Sequence, residues 1–338
     1  MTIRRPPILS LVPLLAGVLL SACGTSHGAN TITLYSGQHE QTTALLVKQF
    51  EQASGIKVEL RSGDEASLGN QILQEGSNSP ADVFYAENTP VLESLREHRL
   101  LAPVSPATLA AVPARYSSAA GAWVGVSARA SALVYNPAQL GGAALPTSIL
   151  ELAQPRWRGK VGIAPSETDF QPLIAAIIKR DGQVAAEAWL KGLQANGHVY
   201  SDNETLVTQV NNGESAIAPT NTYYGYRMRD ELGSGAMHSR LAFFAPGDIG
   251  ELIDVSGAAV LASSSHKAAA QRFLAFLVSP AGQETIAHSH SYEYPLHPGI
   301  AAAPGLPPLS SIQPAAISPA DLGDGSAPLM LEQSVGLL

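Results

Sequence analysis

Short apolar segments rich in strand-forming residues alternate along this chain with segments whose apolar residues recur at helical spacing. A strand pattern at 31–35 precedes a helix pattern at 43–54, and a strand pattern at 56–60 completes a β-α-β unit. The alternation continues with a strand pattern at 82–85 and a helix pattern at 89–97. Because such alternation is typical of open sheets covered by helices, the sequence predicts an α/β protein.

A second set of strand and helix patterns begins near residue 160, which fits a chain of 338 residues divided into two lobes. We expect residues 31–130 with about 254–304 to form an N-lobe, and residues 131–253 with about 305–338 to form a C-lobe. Two separate strand patterns, 123–127 and 132–135, suit a segment that crosses between them. Each lobe is predicted to be a mostly parallel sheet flanked by helices, with a ligand cleft between the lobes.

The first 22 residues have the features of a secretion signal. Two arginines precede an apolar stretch, 8–20, that is too short to span a bilayer as a stable helix. The stretch ends in LSAC, which resembles the bacterial lipobox, in which the cysteine thiol is lipidated. We therefore expect residues 1–22 to be a lipoprotein signal peptide, Cys23 to carry the lipid, and residues 23–30 to be a flexible tether. An ordinary signal with an incidental cysteine is the alternative.

Charge and cysteine content exclude several classes of partner. The formal net charge is −8 and the isoelectric point is about 5.6, with no cluster of basic residues. Because nucleic-acid binding needs clustered Lys and Arg, no nucleic-acid partner is expected. A single cysteine also excludes a disulfide framework and a zinc site built from several thiolates.

Two hydrolase motifs begin in the sequence and then break. A zincin helix needs HExxH, but the His-Glu pair at 39–40 is followed by Thr43 at the position of the second histidine. A nucleophile elbow needs GxSxG, but Ile217 stands where the last glycine belongs. A secreted hydrolase is therefore disfavoured, and the chain is predicted not to be an enzyme. A metal site formed by His288, His290 and His297 stays open as an alternative.

Four side chains with metal-binding chemistry lie at predicted carboxyl ends of strands or at a helix start. His39 follows the first strand pattern, and Glu87 follows the strand pattern at 82–85. Tyr223 and Tyr224 come after Asn221, a predicted N-cap, so both phenols lie in a first helical turn, where the helix dipole favours a phenolate. Because ligands bind at this edge of α/β sheets, we expect the four side chains to face one crevice.

The sequence around these side chains resembles the periplasmic ferric-ion-binding proteins, the bacterial transferrins. The resemblance extends from about residue 31 to 296 in consistent order, and it rests on the motifs YSGQH (35–39), SPADVFYAE (79–87), NTYY (221–224) and EYPL (293–296). It implies the two-lobed periplasmic binding protein fold of the type II-like class.

The resemblance also implies a site and a partner. In the family one Fe³⁺ lies between the lobes and is held by a His, a Glu and two adjacent Tyr, which match His39, Glu87, Tyr223 and Tyr224. Fe³⁺ is a hard cation that prefers anionic oxygen donors, and two phenolates with one carboxylate would neutralise it. The family delivers the ion to an ABC-type ferric permease in the cytoplasmic membrane.

A synergistic anion, commonly phosphate, is a further feature of the family, and here it is in doubt. The family holds the anion through small residues at a helix start and through amide side chains. Asn203 and Asn221 match two of these, and Asn88 stands where a glutamine is usual. However, the acidic loop that runs from Ser166 through Thr168 to Asp169 replaces the usual glycine-containing loop.

We hypothesise that Asp169 replaces the anion, because the two carboxylates of this loop should repel a bound oxyanion. Asp169 would then offer its carboxylate to the iron directly or through water, and Arg129 would balance the added negative charge. In the alternative, Asp169 and Glu167 both point to solvent as acids favoured at a helix start.

The sequence thus predicts an extracytoplasmic Fe³⁺-binding lipoprotein that closes around one ferric ion and delivers it to an ABC-type importer. It should be monomeric and anchored to membrane lipid through Cys23, on the periplasmic side or at the cell surface. The alternative is a binding protein of the same fold for an organic or oxyanion solute such as a polyamine, sulfate or thiamine.

Overall fold

The computed structural model describes residues 30–338, so the predicted signal peptide, Cys23 and nearly all of the predicted tether lie outside the described residues. The strands are β1 Thr31–Ser36, β2 Lys57–Ser62, β3 Val83–Ala86, β4 Leu101–Ala102, β5 Val124–Tyr135, β6 Val161–Ile163, β7 Gly197–Val199, β8 Ile217–Asn221, β9 Arg240–Ala242, β10 Ile253–Leu261 and β11 Tyr294–Pro295. The helices are α1 Glu40–Ser54, α2 Glu65–Glu75, α3 Thr89–Glu97, α4 Pro106–Leu109, α5 Pro137–Leu140, α6 Gln171–Asp181, α7 Gln183–Asn196, α8 Asn203–Asn212, α9 Thr222–Leu232, α10 Lys267–Leu277, α11 Pro280–Ala287 and α12 Ser326–Val335.

The strands form two sheets that share β5. In the first sheet the order is β2-β1-β3-β10-β5, with β1 parallel to both β2 and β3 and with β10 antiparallel to its neighbours. In the second sheet the order is β5-β8-β6-β7, with β6 parallel to β7 and β8 and with β5 antiparallel to β8. Parallel strands therefore lie at the outer side of each sheet, and antiparallel strands lie where the sheets meet.

Strand β5 passes from one sheet to the other without interruption. Its residues up to Ala130 pair with β10, and its residues from Ser131 onward pair with β8. The prediction of two separate strands here was wrong. The polar Arg129 interrupts the apolar pattern, yet its side chain is fully buried and its charge is paired, so the strand continues through it.

The carboxyl ends of β1 and β3 lie side by side, which places the loops that follow them together. Tyr35 is in register with Phe84, and the Gly37 amide donates to the Tyr85 carbonyl at 2.9 Å. A Cβ at Gly37 would lie 2.7 Å from the Cα of Glu65, so a side chain there would displace α2. The parallel register thus brings the β1 and β3 loops to the same edge of the sheet, and the glycine lets the β1 loop pack against α2.

Helices α8 and α11 were not predicted from the sequence. Helix α8 begins after Asp202, whose carboxylate accepts from the Thr205 amide at 2.6 Å as an N-cap. Its buried face includes Leu206 and Val210 at helical spacing. This apolar stripe is narrow and lies between polar residues, which is why the pattern was not recognised.

The C-terminal segment packs on the second sheet's helices. Its helix α12 lies against α6 and α7. Leu331 joins the apolar core that also contains Trp157 and Trp189. No helix within residues 30–338 is both long enough and apolar enough to cross a bilayer.

Glu332 on α12 generates a prediction about stability. Its side chain is fully buried, neither carboxyl oxygen has a hydrogen-bond partner among the described residues, and burial raises its pKa to about 8. Because the unfolded carboxyl ionises near pH 4.5, the folded state loses stability as the pH rises from there to about 8. Glu332→Gln should therefore raise the free energy of unfolding by about 1–3 kcal/mol at pH 8–9.

Urea denaturation at pH 4.5, 7 and 9 measures this effect, and the gain should shrink towards zero at the lowest pH. Glu214→Gln is the matched control, since Glu214 is exposed. A gain that was equal at all three pH values, or that also appeared in the control, would contradict the interpretation.

Candidate metal centre

The fold brings the four predicted donors to one point between the two sheets. His39 occupies the N-cap position of α1, and Glu87 directly follows β3. Tyr223 and Tyr224 lie in the first turn of α9, which follows β8 directly. The His and Glu thus come from the first sheet's edge and both phenols from the second sheet's edge.

The distances between these side chains are short enough for them to share one ligand. His39 Nε2 lies 3.8 Å from Glu87 Oε1, and Tyr223 Oη donates to the same Glu87 oxygen at 3.3 Å. The His39 and Tyr223 rings meet edge to face at 5.1 Å, and the two tyrosine rings lie 4.0 Å apart. His39 Nε2 is buried and has no hydrogen-bond partner among the described residues, so it is available to a ligand.

Asp169 joins this cluster. One of its carboxylate oxygens accepts from Tyr223 Oη at 2.9 Å and from Tyr224 Oη at 3.2 Å, and the other accepts from Arg129 Nη2 at 3.0 Å. The Asp169 side chain is 7% exposed, so the alternative in which it points to solvent is wrong. Glu167, the other acid of the loop, is half-buried, and its carboxylate accepts from the Asn203 side chain at 3.5 Å.

Arg129 forms hydrogen bonds with residues on both sides of the site. Its fully buried guanidinium donates to the Glu87 carbonyl at 2.7 Å and to the Asn88 side-chain oxygen, both after β3, as well as to Asp169 before α6. A buried charge is stable only when it is paired and hydrogen-bonded. The Arg129–Asp169 pair meets that condition, and it fixes the backbone beside Glu87 relative to the acidic loop.

Burial and nearby charge hold both phenols in their protonated form. Burial, Asp169 and Glu87 together raise the pKa of Tyr223 and that of Tyr224 well above the usual range. The expectation that the start of α9 favours a phenolate is therefore wrong for the side chains alone, because burial and two carboxylates outweigh the helix dipole. A cation at the same point would reverse this balance.

The other titratable groups respond to the same burial. Burial lowers the pKa of His39, which keeps the imidazole neutral, as a metal ligand must be. Burial and the neighbouring Asp169 raise the pKa of Glu87 well above its usual range. Burial alone would also raise the pKa of Asp169, but Arg129 and the hydrogen bond from Tyr223 hold that pKa below its usual range.

The residues predicted to hold an anion are only partly brought together. Asn203 donates to Tyr224 Oη at 3.2 Å, and Asn221 is buried at the start of α9. Asn88 donates to Thr168 Oγ1 at 3.2 Å, and its side-chain oxygen accepts from Arg129. Ser166 is exposed and donates to the Ser201 carbonyl, away from the phenols. Among these residues, the Asp169 carboxylate is the anionic group that accepts from both phenols.

Comparison with known proteins places the chain in a family. Residues 78–316 match the family of bacterial extracellular solute-binding proteins. The chain belongs to this family. A protein of Serratia marcescens named Fe(3+)-binding periplasmic protein is 37% identical over 313 residues, which are 92% of this chain and 93% of that protein.

Solved structures agree with this assignment. Iron-bound HitA from Pseudomonas aeruginosa is similar with a TM-score of 0.86 and 43% identity, covering 90% of this chain and 99% of that chain. A Trichodesmium protein, IdiA or FutA, in complex with iron and citrate ligands has a TM-score of 0.79 and 30% identity, covering 90% and 99% of the two chains. The predicted fold class and the resemblance to ferric-ion-binding proteins are confirmed.

Glu293 lies beside His39 and Glu87 and was not predicted as a site residue. It accepts from Ser127 at 2.7 Å and from Gln38 at 3.2 Å, and its side chain is fully buried. Gln38 in turn accepts from the His39 amide at 2.7 Å. Glu293 therefore positions the His39 backbone. The EYPL motif that contains Glu293 was the signal in the sequence, but its partners are distant in the chain.

Within residues 30–338, His39, Glu87 and Glu293 form the one group of at least three His, Cys, Asp or Glu residues whose ligand atoms lie within 4.8 Å of one another. The three histidines of the alternative metal site do not join any such group. His288 is exposed, and its Nδ1 forms a hydrogen bond with the Glu284 carbonyl. His297 forms a hydrogen bond with the Pro298 carbonyl. The structure therefore does not support the alternative of a metal site formed by these three histidines.

A cavity of about 600 Å³ opens on one side of the site. His39 lies on its wall together with α1 residues, Arg227, Asp230 and the segment His288–Tyr292. Neither Tyr223 nor Tyr224 lines this cavity. Of the four predicted donors, His39 is therefore the one that borders this cavity.

Proposed function

We propose that this solute-binding protein binds one Fe³⁺ ion through His39, Glu87, Tyr223 and Tyr224, and that it functions in ferric iron uptake. The observation that carries the proposal is the convergence of one imidazole, one carboxylate and two phenols at one buried point between the sheets. The names of relatives, an Fe(3+)-binding periplasmic protein and iron-bound HitA, support the same ligand.

The charges of the site suit a trivalent cation. Two phenolates with the Glu87 carboxylate would supply three negative charges to a 3+ ion, while the Arg129 guanidinium lies 3.0 Å from the Asp169 carboxylate and 3.8 Å from the Glu293 carboxylate. Such compensation matters in a buried cluster, because uncompensated charge there is costly. A soft metal would instead favour thiolates, which no described residue can supply because the single cysteine is Cys23.

We propose on the same grounds that Asp169 replaces the synergistic anion. Its carboxylate already contacts both phenols and Arg129, so the negative charge that an anion would bring is part of the chain. The Asn203 and Asn221 side chains would then support a donor and the Asp169 carboxylate rather than a free phosphate.

The rival solutes fit this site less well. Sulfate would meet the Glu87 and Asp169 carboxylates as like charges. The similar proteins that are named for iron also favour the ferric ion over these solutes.

We propose that the two lobes divide at residues 130/131 and 253/254, with residues 305–338 in the second lobe. The change of pairing partner along β5 between Ala130 and Ser131 supports the first division. Donors from both lobes would meet on the ion when the lobes rotate about β5 and β10, which couples closure to binding.

Membership of an extracellular solute-binding family supports a location outside the cytoplasm and delivery to an ABC-type permease. We propose further that Cys23 carries a lipid anchor, that the protein acts as a monomer, and that its role is binding rather than catalysis. The relatives' names, which describe binding proteins, support the last point.

Removal of the phenols tests the metal site. Tyr223→Phe with Tyr224→Phe deletes two anionic donors and keeps both rings, so packing should be preserved. The wild-type protein should develop a visible tyrosinate-to-iron charge-transfer band when ferric citrate is added, and the double variant should lose it together with at least about a hundredfold in ferric affinity.

Tyr200→Phe is the matched control, because Tyr200 bonds Ser215 within the second lobe and lies outside the donor set. This control should keep the band. Full ferric affinity and an unchanged band in the double variant would refute the assignment of the donors.

Titration with and without added anion tests the role of Asp169. Wild type should bind Fe³⁺ with the same affinity in phosphate-free buffer and after addition of phosphate or carbonate. Asp169→Asn leaves the Arg129 charge without its carboxylate, so its iron binding should weaken by about tenfold or more and should recover when an anion is added. Visible titration against a fixed chelator measures both.

Glu167→Gln changes the other acid of the same loop and should remain independent of anions. If wild type and Asp169→Asn needed added anion equally, Asp169 would not be the replacement for it.

Cys23→Ala tests the lipid anchor. Acyl chains supply membrane affinity of about 0.8 kcal/mol per buried methylene, so the variant should be released from the membrane fraction by carbonate washing while wild type stays. Immunoblots of both fractions give the result. A variant that stayed wholly in the washed membranes would show that another part of the chain holds it there.

A further inference from the structure

A contact between the two sides of the cleft lies about two helical turns beyond the phenols. Tyr292 stacks on Tyr226 of α9 with ring centroids 5.6 Å apart and an interplanar angle of 23°. Its hydroxyl donates to the Asp230 carboxylate, also on α9. The Arg229 guanidinium lies over both rings, 4.9 Å from the Tyr226 centroid and 5.9 Å from that of Tyr292. Stacking, a cation–π contact and a hydrogen bond to a charged group thus act at one place.

The two partners of this contact belong to different sheets. Tyr292 comes two residues before β11, which pairs with Ser127 and Ala128 in the first-sheet half of β5. The next residue, Glu293, is bonded to Ser127 and Ser256 of the same sheet. Helix α9 instead follows β8 of the second sheet directly and packs against α8, β8 and β9 as well as β5. The contact therefore joins the lobes outside the metal centre.

The backbone of Tyr292 is held in a costly conformation. Its φ is +55°, in the left-handed region that a bulky side chain rarely adopts. Serine side chains fix the turn around it, since Ser289 Oγ accepts from the Ser291 amide and Ser291 Oγ accepts from the Glu293 amide, each at 3.3 Å. Such a conformation persists where surrounding contacts compensate for it, and it directs the Tyr292 ring at α9.

Helix α9 is the element that carries both phenols. Tyr223 and Tyr224 occupy its first turn, whereas Tyr226, Arg229 and Asp230 lie one and two turns further along. A helix is stiff over this length, so a contact that holds its later turns to the first lobe also holds the phenols near His39 and Glu87.

We propose that Tyr292 is a positioning residue that latches α9 to the first lobe through Asp230 and thereby slows release of the bound cation. The inference rests on the proposed ferric site only for its consequence on release. The latch itself consists of protein groups alone and should favour the closed arrangement with or without metal. A contact made in one of two states shifts the balance between them by its own free energy.

Tyr292→Phe provides the first test, because it removes the hydroxyl that donates a hydrogen bond to Asp230 and keeps the stacked ring. In stopped-flow experiments with excess chelator, the loss of the visible band should be about tenfold faster than in wild type. The position of the band should be unchanged, since the donors remain in place. Tyr200→Phe, which loses a 2.8 Å hydrogen bond to Ser215 inside one lobe, should release iron at the wild-type rate.

Asp230→Asn and the double variant test the pairing itself. Asp230→Asn should accelerate release by a similar factor, and the double variant should be no faster than either single variant, because both changes remove one interaction. Multiplicative effects in the double variant, wild-type release in Tyr292→Phe, or equal acceleration in Tyr200→Phe would overturn the proposal.

Small-angle X-ray scattering of the unloaded protein separates this inference from the proposed function. Tyr292→Phe should have a larger radius of gyration than wild type and Tyr200→Phe, because fewer molecules are closed. If wild type gave no visible band at all, the proposed ferric site would be refuted. The scattering measurement would still test whether the Tyr292–Asp230 contact favours the closed arrangement. Equal radii for all three proteins would refute the latch whatever the band showed.

Discussion

The buried guanidinium of Arg129 is the interaction on which the rest of the site depends. A fully buried positive charge must be compensated, and the compensation comes from the Asp169 carboxylate at 3.0 Å together with polar atoms that follow β3. These partners belong to opposite sides of the cleft. Arg129 lies on β5 one residue before the last pairing with the first sheet, so the charge and the crossing of the strand coincide. The same residue therefore supports both the architecture and the donor set.

The electrostatic consequences follow from that pair. With Arg129 beside it, Asp169 stays ionised in a buried place and accepts hydrogen bonds from both phenols. Burial, together with the negative charge that the site already holds, raises the pKa of both phenols and keeps them protonated, and this negative charge is the property that attracts a highly charged cation. Binding such a cation must release phenolic protons, so metal affinity and proton concentration are linked at this site.

The sequence predicted the parts of this arrangement that local patterns encode. The alternation of strands and helices, the donors His39 and Glu87 after their strands, and the tandem tyrosines at a helix start all lie in short motifs. The hypothesis for Asp169 and Arg129 came from a departure from the family pattern, and the two side chains do pair.

What could not be predicted depends on contacts between residues far apart in the chain. Glu293 bonds Gln38, which precedes it by 255 residues, and no local pattern marks that pairing. Asp254 is similar: it lies opposite Arg129 on β10, and burial raises its pKa to about 7. The continuity of β5 was missed because a buried arginine has the sequence pattern of an exposed one until its partner is known.

The cavity beside His39 makes the site accessible to solvent from one side. His39 and Glu87 are 18% and 16% exposed, whereas Tyr223 is fully buried and Tyr224 nearly so. Water and small chelators that enter the cavity reach the imidazole before they reach a phenol. For the proposed ferric ion, ligand exchange would therefore follow an order, with the imidazole displaced before either phenolate. The donor that carries no charge is then the first to leave, and the two phenolates are the last.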